Sequence, residues 1–350
     1  MTQPAEKSNY RDLMDEEIGQ LVYQGCSSPD WNQVKVSSDF KPDNVENSKF
    51  TGSIRLNSFR KTVKLVGGIE FKSGVYNAWL HNCEVGKDAL IHNVRSYIAN
   101  YKIGEGVVIH NITTMAIDGE TTFGNGVMVE AINEGGGREI PIYDYLSTHV
   151  AYMMALYRHR PKLVSALINM VEDYTQNIKS TTGFVGAYSK ILNCNTILNV
   201  KMGPCTTIDG TKKLKNGSIN GNHEAPVVIG EGVIMDDFIV CSGSRITDAT
   251  LVSKCFVGQG CILDKHYSAV HSLFFANCQG LHGEACSIFA GPYTVTHHKS
   301  TLLIAGMYSF LNAGSGSNQS NHLYKLGPIH QGILERGAKT TSDSYLLWPS

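Results

Sequence analysis

The chain has neither a long apolar run nor an excess of charge of one sign. Its 350 residues include 30 Lys or Arg and 31 Asp or Glu, which gives a net charge of -1. A membrane span needs about 20 consecutive apolar residues, and nucleic-acid binding usually needs a basic surface. The first nine residues also lack the apolar core of a signal peptide. We therefore expect a cytoplasmic protein with neither a membrane nor a nucleic acid as partner.

The sequence also has no closely spaced cysteine pair and few prolines. The nine cysteines include no Cys-x-x-Cys motif, which argues against both a disulfide framework and a structural zinc site. Thirty-five glycines stand beside only ten prolines. This composition favours many tight turns in an ordered chain, so an internal repeat is the first pattern to seek.

A short motif recurs five times: an apolar residue, Gly, any residue, Gly or Asp, then a small or β-branched residue. It occupies residues 85–89, 103–107, 123–127, 229–233 and 257–261. Three six-residue steps lead from Val85 in the first copy to Ile103 in the second. The same step continues to Met115, slips by two residues, and resumes from Ile117 through Phe123 to Val129. Downstream it recurs at Ile229, Met235 and Cys241, and again at Leu251, Val257 and Leu263.

This repeat predicts a mainly β fold built from stacked coils. Each six-residue unit is read as a short strand and a turn, with one aliphatic side chain pointing inward. A single coil cannot bury its own faces, so the coils must stack as a parallel β-helix. A dinucleotide-binding reading of the Gly-x-Gly pairs fails, because Ile109, Val129 and Met235 stand where a third glycine is required.

Two segments depart from the repeat. Residues 11–24 have apolar residues at helical spacing, which predicts a helix that caps the open end of the stack. From Pro141 to Lys179 a period of about 3.6 replaces the six-residue step, and Pro161 should divide this stretch into two helices. We therefore expect a cap at 1–45, a first β-helical part at 46–140, a helical insertion at 141–182, and a second β-helical part with a polar loop at 183–350.

The repeat resembles that of the hexapeptide-repeat, left-handed β-helix superfamily, over roughly residues 45–135 and 183–300. The left-handed sense of the coils is implied by this resemblance alone. Many members are trimeric acyltransferases, others are sugar nucleotidyltransferases, and a few are carbonic anhydrases that use three histidines on zinc. The segments 14–18, 25–26 and 317–322 are more similar to a group of longer hexapeptide-repeat proteins of anaerobic gut-type bacteria, a similarity that names no reaction. Because the chain ends in the apolar run 345–349, we expect it to be part of a longer protein.

The richest polar stretch extends from Ser287 to Arg336 and is the predicted site. Residues 312–321 are so polar that they are expected to form a loop outside the core. Acyl transfer needs a base to take the acceptor proton, and neutral imidazole suits this role. The resemblance implies the same residue type, and the candidate bases are His298, His322 and His330. The candidate substrate-binding residues are His297, Lys299, Asn318, Gln319, Lys325, Glu335 and Arg336.

Metal binding is the competing use of histidine. Adjacent His297 and His298 on a strand would point to opposite faces and could not share an ion. His92 and His110 lie one coil apart and could therefore lie close together. These two residues and His81 are worth checking as metal ligands, but no metal is expected.

Two functions of different classes follow. The first is transfer of an acyl group from acyl-coenzyme A to a sugar or a small amine or hydroxyl acceptor, by a homotrimer. The alternative is a non-catalytic scaffold that binds a sugar or a sugar nucleotide. A nucleotidyltransferase is less favoured, because no Gly-rich nucleotide loop precedes the repeats.

Overall fold

The structure is a computed structural model that describes residues 10–320 and 332–347. Within these residues the protein is mainly β, with one large and predominantly parallel sheet, two small antiparallel hairpins and three α-helices. None of the helices in this part of the chain is long and apolar enough to cross a bilayer.

The strands pair in parallel with strands one coil further along the chain. Leu90 pairs with Val108 in the first half of the chain, and Leu251 pairs with Ser268 in the second half. The pairs form three ladders, which we number in chain order around a coil, and some strands bend from one ladder into the next. The predicted stacking of coils in a parallel β-rich fold is thus confirmed.

The strands of the first ladder are Val45–Glu46, Gly74–Tyr76, Lys190–Leu192, Thr207–Asp209, Val228–Ile229, Arg245–Ile246, Ile262–Asp264, Gln279–Leu281, Val295–Thr296 and Asn312–Ala313. Leu90–Ala99 and Val108–Ala116 continue from it into the second ladder. The other strands of the second ladder are Lys49–Thr51, Trp79–His81, Ser268–Val270, Glu284–Cys286, Leu302–Ile304, Asn318–Ser320 and Tyr345–Leu347.

Four strands bend from the second ladder into the third: Thr196–Met202, Lys213–Asn220, Ile234–Cys241 and Leu251–Val257. The remaining strands of the third ladder are Val34–Ser37, Ile54–Leu56, Glu84–Val85, Tyr101–Ile103, Gly183–Val185, Leu273–Phe274, Phe289–Ala290, Gly306–Tyr308 and Gly332–Ile333. Tyr10–Asp12 adds an antiparallel strand beside Val34–Ser37.

The three ladders enclose one continuous apolar core. The predicted inward residues Ile103, Phe123, Ile229 and Val257 all belong to it and are at most 4% exposed. At the corners the backbone takes left-handed angles, which asparagine tolerates. Asn93 and Asn111 follow the first ladder with φ of +59° and +54°.

The six-residue step over Ile117, Phe123 and Val129 does not continue the stack, which differs from the prediction. The parallel ladder stops at Ala116, and the chain enters an antiparallel hairpin of Met128–Glu130 and Glu139–Pro141. Two helices follow, α2 (Thr148–Leu156) and α3 (Pro161–Ile178), and α3 begins at Pro161 as predicted. We call residues 117–182 the insertion. After it the stack resumes directly, because Ile109 pairs with Ile191.

The insertion packs on the outer face of the third ladder and forms a second apolar core there. Val129, Ile140 and Met154 of the insertion belong to the same buried cluster as Ile239 and Phe256 of the repeat. An outward-facing row of the third ladder is therefore apolar because the insertion covers it.

The N-terminal helix α1 covers Asp15–Tyr23, inside the predicted range. Its Leu21 is fully buried in the main core, while Arg11 forms an ion pair with Glu17 at 2.7 Å. Three short 3₁₀ turns lie at Trp31–Gln33, Pro42–Asn44 and Val66–Gly68.

Candidate functional site

The described residues of the predicted polar site do not converge on one cleft. His297, His298 and Lys299 follow the strand Val295–Thr296 and are exposed, with His297 Nε2 2.5 Å from Gln279 Oε1. Glu335 and Arg336 are exposed at a later corner, where the Arg336 guanidinium lies 4.4 Å from the centre of the Phe310 ring. His322, Lys325 and His330 lie outside the described residues.

The predicted loop over residues 312–321 is wrong for the part that the structure describes. Asn312–Ala313 and Asn318–Ser320 are strands of the first and second ladders. Gln319 pairs with Leu303 and takes an inward position that is aliphatic in most coils, and its buried amide has no hydrogen-bond partner among the described residues. A polar stretch can build a coil here because Ala313 and the small Ser317 occupy other buried positions.

The structure instead brings together a histidine pair on the first ladder. His92 and His110 are directly in register on neighbouring strands. Their rings stack with an interplanar angle of 3° and centroids 5.0 Å apart, and the two Nδ1 atoms are 2.9 Å apart. The Phe71 ring lies 4.5 Å from the His92 ring, and Tyr76 is the residue in register with His92 on the other side.

The environment of this pair favours neutral imidazole. Burial lowers the pKa of His92, and the neighbouring His110 lowers it further. Burial likewise lowers the pKa of His110. In the neutral pair, one Nδ1–H donates to the other Nδ1, so the donor ring has a free lone pair on its Nε2. The pair therefore offers a proton acceptor at neutral pH.

Two cavities meet at His92. The polar cavity, of about 390 Å³, is lined by Asn44, Glu46, Asn77 and Tyr76 among others, together with Phe71 and His92. The apolar cavity, of about 460 Å³, is also lined by Phe71 and His92, and its other walls are Leu65, Val66, Ile69, His110, Leu192 and Asn193. His92 and Phe71 therefore stand on the wall that the two cavities share.

A projecting hairpin forms one side of both cavities. Thr62–Lys64 pairs antiparallel with Glu70–Lys72, and the turn between them carries Leu65, Val66 and Ile69. Val66 is 88% exposed and Ile69 is 56% exposed. Because the hairpin projects beside the flat face of the first ladder, the two elements together form a cleft. We call the two cavities around His92, His110 and Phe71 the histidine cleft.

The described residues contain no group of three or more His, Cys, Asp or Glu side chains placed to hold a metal ion. His81 belongs to the second ladder, where its Nδ1 lies 2.9 Å from Thr51 Oγ1. Of the three histidines considered as metal ligands from the sequence, His92 and His110 are in contact, whereas His81 lies on another ladder.

Only part of the histidine cleft could be found from the sequence. The 18-residue spacing of His92 and His110 equals one coil, so it predicts that the two side chains lie on neighbouring strands. Phe71, Tyr76 and Glu46 were missed, because the hairpin that carries Phe71 lies outside the six-residue step.

Comparison with known proteins places the chain in a family. Residues 10–350 match the family model described as "Domain of unknown function (DUF4954)". The chain belongs to this family. It is also similar to an uncharacterized protein of Treponema pallidum (strain Nichols), with 27% identity over 248 residues, which is 68% of this chain and 34% of that protein. The DUF4954 chain thus corresponds to only a part of this longer relative.

Proposed function

We propose that this DUF4954 chain is a hexapeptide-type acyltransferase that uses the histidine pair as its base. The donor is acyl-coenzyme A, and the acceptor is a sugar or a small molecule with an amine or hydroxyl group. The observation that carries the proposal is the position of His92, an imidazole whose pKa is lowered by burial, on the wall between a polar and an apolar cavity.

The two cavities suit the two substrates. Asn44, Glu46 and Asn77 offer amide and carboxylate groups to the hydroxyls of an acceptor, and the Tyr76 ring offers an apolar surface. Leu65, Val66 and Leu192 provide the apolar contact that an acyl chain or the donor's thiol-bearing arm prefers. A base on the shared wall can take the acceptor proton as the acceptor attacks the thioester carbon.

We further propose the left-handed coil sense and the homotrimeric assembly of the hexapeptide-repeat superfamily for this chain. The supporting feature is the three-ladder stack, in which each coil supplies one short strand segment to each ladder. A crystal structure would decide the coil sense by inspection of one coil.

The function is tested by release of free coenzyme A from acetyl-coenzyme A, in the presence of a panel of amino sugars and hydroxylated sugars. His92→Asn and His110→Asn should each lower turnover by about 10²- to 10⁴-fold without loss of folding. His81→Asn is the matched control and should keep wild-type turnover, because His81 lies on another ladder. Melting temperatures recorded for each variant separate lost chemistry from lost structure.

The predicted bases of the polar stretch remain a second set to test. Turnover that survives both cleft variants but is lost in His298→Asn, His322→Asn or His330→Asn would move the base to that stretch. In that case Asn318, Gln319 or Lys325 would be the residues to examine for acceptor and donor binding.

The second candidate function is a non-catalytic scaffold for a sugar or sugar nucleotide. The aromatic and amide lining of the polar cavity favours it. Titration calorimetry with the same sugars would detect binding, and binding without any turnover across the panel would replace the acyltransferase with the scaffold.

A further inference from the structure

One corner of the stack places a cysteine against a histidine. Cys205 lies between Thr196–Met202 and Thr207–Asp209, with a φ of +57° and its N–H donating to the Ala187 carbonyl at 3.0 Å. Its Sγ lies 3.1 Å from Nδ1 of His223 in the next coil. Cys205 is half-buried, and His223 is exposed.

The loop that carries His223 is extra to the repeat. Thr196 pairs with Lys213, and Ile234 pairs with Leu251 at the same separation along the chain. In the coil between these two, Lys213 pairs with Ile234, so this coil is four residues longer than either neighbouring coil. These extra positions fall at the corner that brings His223 to Cys205.

The cysteines of this chain differ in what surrounds the thiol. Seven of the nine are buried, and only Cys205 and Cys286 are half-exposed. Cys286 Sγ faces Glu134 Oε1 at 3.2 Å, and burial together with this carboxylate raises the pKa of Cys286 to about 12. Cys205 faces an imidazole instead, which can accept the thiol proton and stabilise the thiolate as an imidazolium.

Other ionisable groups border this pair. The Tyr188 ring lies 6.1 Å from the His223 ring, and its hydroxyl donates to Glu105 Oε1 at 3.0 Å. The Lys61 ammonium lies 3.7 Å from Glu105 and 3.7 Å from Asp88, and Glu224 follows His223 in the chain.

We propose that Cys205 and His223 form a nucleophilic pair that takes an acyl group from a thioester. His223 accepts the thiol proton, and the thiolate attacks the carbonyl carbon of the donor. The donor's carbon–sulfur bond breaks, and its thiolate leaves with the proton from the imidazolium. One thioester is lost and one is formed on Cys205, so the step needs no oxidant, reductant or further reactant.

The two parts of this inference rest on different grounds. The nucleophilic character of Cys205 rests on its contact with His223 alone. The choice of a thioester as substrate rests on the proposed function, which supplies an acyl thioester as donor. A half-exposed corner suits a thioester carried at the end of a long flexible arm.

The first experiment measures nucleophilicity without any acyl donor. The folded chain is alkylated with iodoacetamide between pH 6 and 9, and each cysteine is followed by peptide mass spectrometry. At pH 7 Cys205 should react at least about tenfold faster than Cys286, and His223→Asn should remove most of that advantage. Equal rates for Cys205 in the wild type and in His223→Asn would overturn the pair.

The second experiment tests the acyl transfer. The chain is incubated with acetyl-coenzyme A without acceptor, and intact mass spectrometry detects an acetyl adduct that hydroxylamine removes. The adduct should form in the wild type and in Cys286→Ser, and it should be absent from Cys205→Ser. Rapid alkylation without an adduct would overturn the thioester step. An adduct on Cys205 without turnover of any acceptor in the panel would leave this inference standing and overturn the acyltransferase proposal.

Discussion

At the scale of single residues, the stacked histidines couple the histidine cleft to pH. Both rings have a pKa below the usual value, so the folded chain binds fewer protons than the unfolded chain as the pH falls through about 6.5. The folded state therefore loses stability as the pH falls through this range, and the contribution of the two histidines to stability is fully present above it. Protonation of both rings would also place two positive charges in contact, since their Nδ1 atoms are 2.9 Å apart.

We predict that the melting temperature of the wild type falls between pH 7 and pH 5 more steeply than that of a His92→Gln, His110→Gln double variant. Differential scanning calorimetry at matched ionic strength measures both. His81→Gln serves as the control and should follow the wild type, because His81 is outside the pair. Parallel curves for the wild type and the double variant would show that the pair does not titrate on unfolding.

At the scale of elements, a buried carboxylate joins the insertion to the repeat. Asp144 Oδ2 accepts from Lys201 Nζ at 2.5 Å and from the Tyr174 hydroxyl at 2.7 Å, while Oδ1 accepts from Asn220 at 2.9 Å. Although burial raises the pKa of Asp144, Lys201 and these hydrogen bonds hold it below the usual value. The carboxylate thus connects α3 with two strands of the stack.

We predict that Asp144→Asn lowers the free energy of unfolding by about 3–5 kcal/mol, because it leaves Lys201 without its charged partner in a site with little solvent. Urea denaturation measures the change, and limited proteolysis should show earlier cleavage within the insertion. Asp173→Asn is the control, since Asp173 is exposed on α3, and it should alter stability by less than about 0.5 kcal/mol. Equal stability of the two variants would mean that the carboxylate does not hold the insertion in place.

The repeat itself was predictable from the sequence, since its signal is local. The six-residue step gave the inward positions, and the helical period gave α3, because each reports which side of one element is buried. The insertion's hairpin and its docking were not predictable, since Val129 meets Phe256 only through packing between distant segments. Val129 also fitted the six-residue step by coincidence. The polarity of residues 312–321 predicts a loop, although Ala313 and Gln319 lie six residues apart and keep inward positions.

At the scale of the whole molecule, the stack depends on the apolar core that its three ladders enclose. We predict that Asp in place of Ile103, Phe123, Ile229 or Val257 prevents soluble folding, because an unpaired buried charge costs several kcal/mol, a large share of a total stability of about 5–15 kcal/mol. Lys102→Asp is the matched control, since Lys102 is exposed beside Ile103 on the same strand. Soluble expression and circular dichroism test this, and four folded variants with normal melting would contradict the enclosed core.

In the proposed homotrimer, the outer face of the second ladder is the candidate interface. Its outward residues Ile234, Leu251 and Val270 are each 36–46% exposed, and none of them belongs to the apolar cluster beneath the insertion. Ile234 and Leu251 are directly in register on neighbouring strands. The third ladder is covered by the insertion over its later coils, and the first carries the projecting hairpin. Apolar side chains that remain exposed together on a single chain favour burial against another copy.

We predict that the wild type has the mass of a homotrimer by light scattering, and that an Ile234→Glu, Leu251→Glu double variant shifts the mass towards the monomer. The reason is that carboxylates in an apolar interface lose water without gaining a partner. Phe184→Glu is the control, because Phe184 is 49% exposed on the third ladder, and it should leave the trimer intact. A monomeric wild type at every concentration would exclude the trimer, whereas a trimer that persists in the double variant would assign the interface to another face.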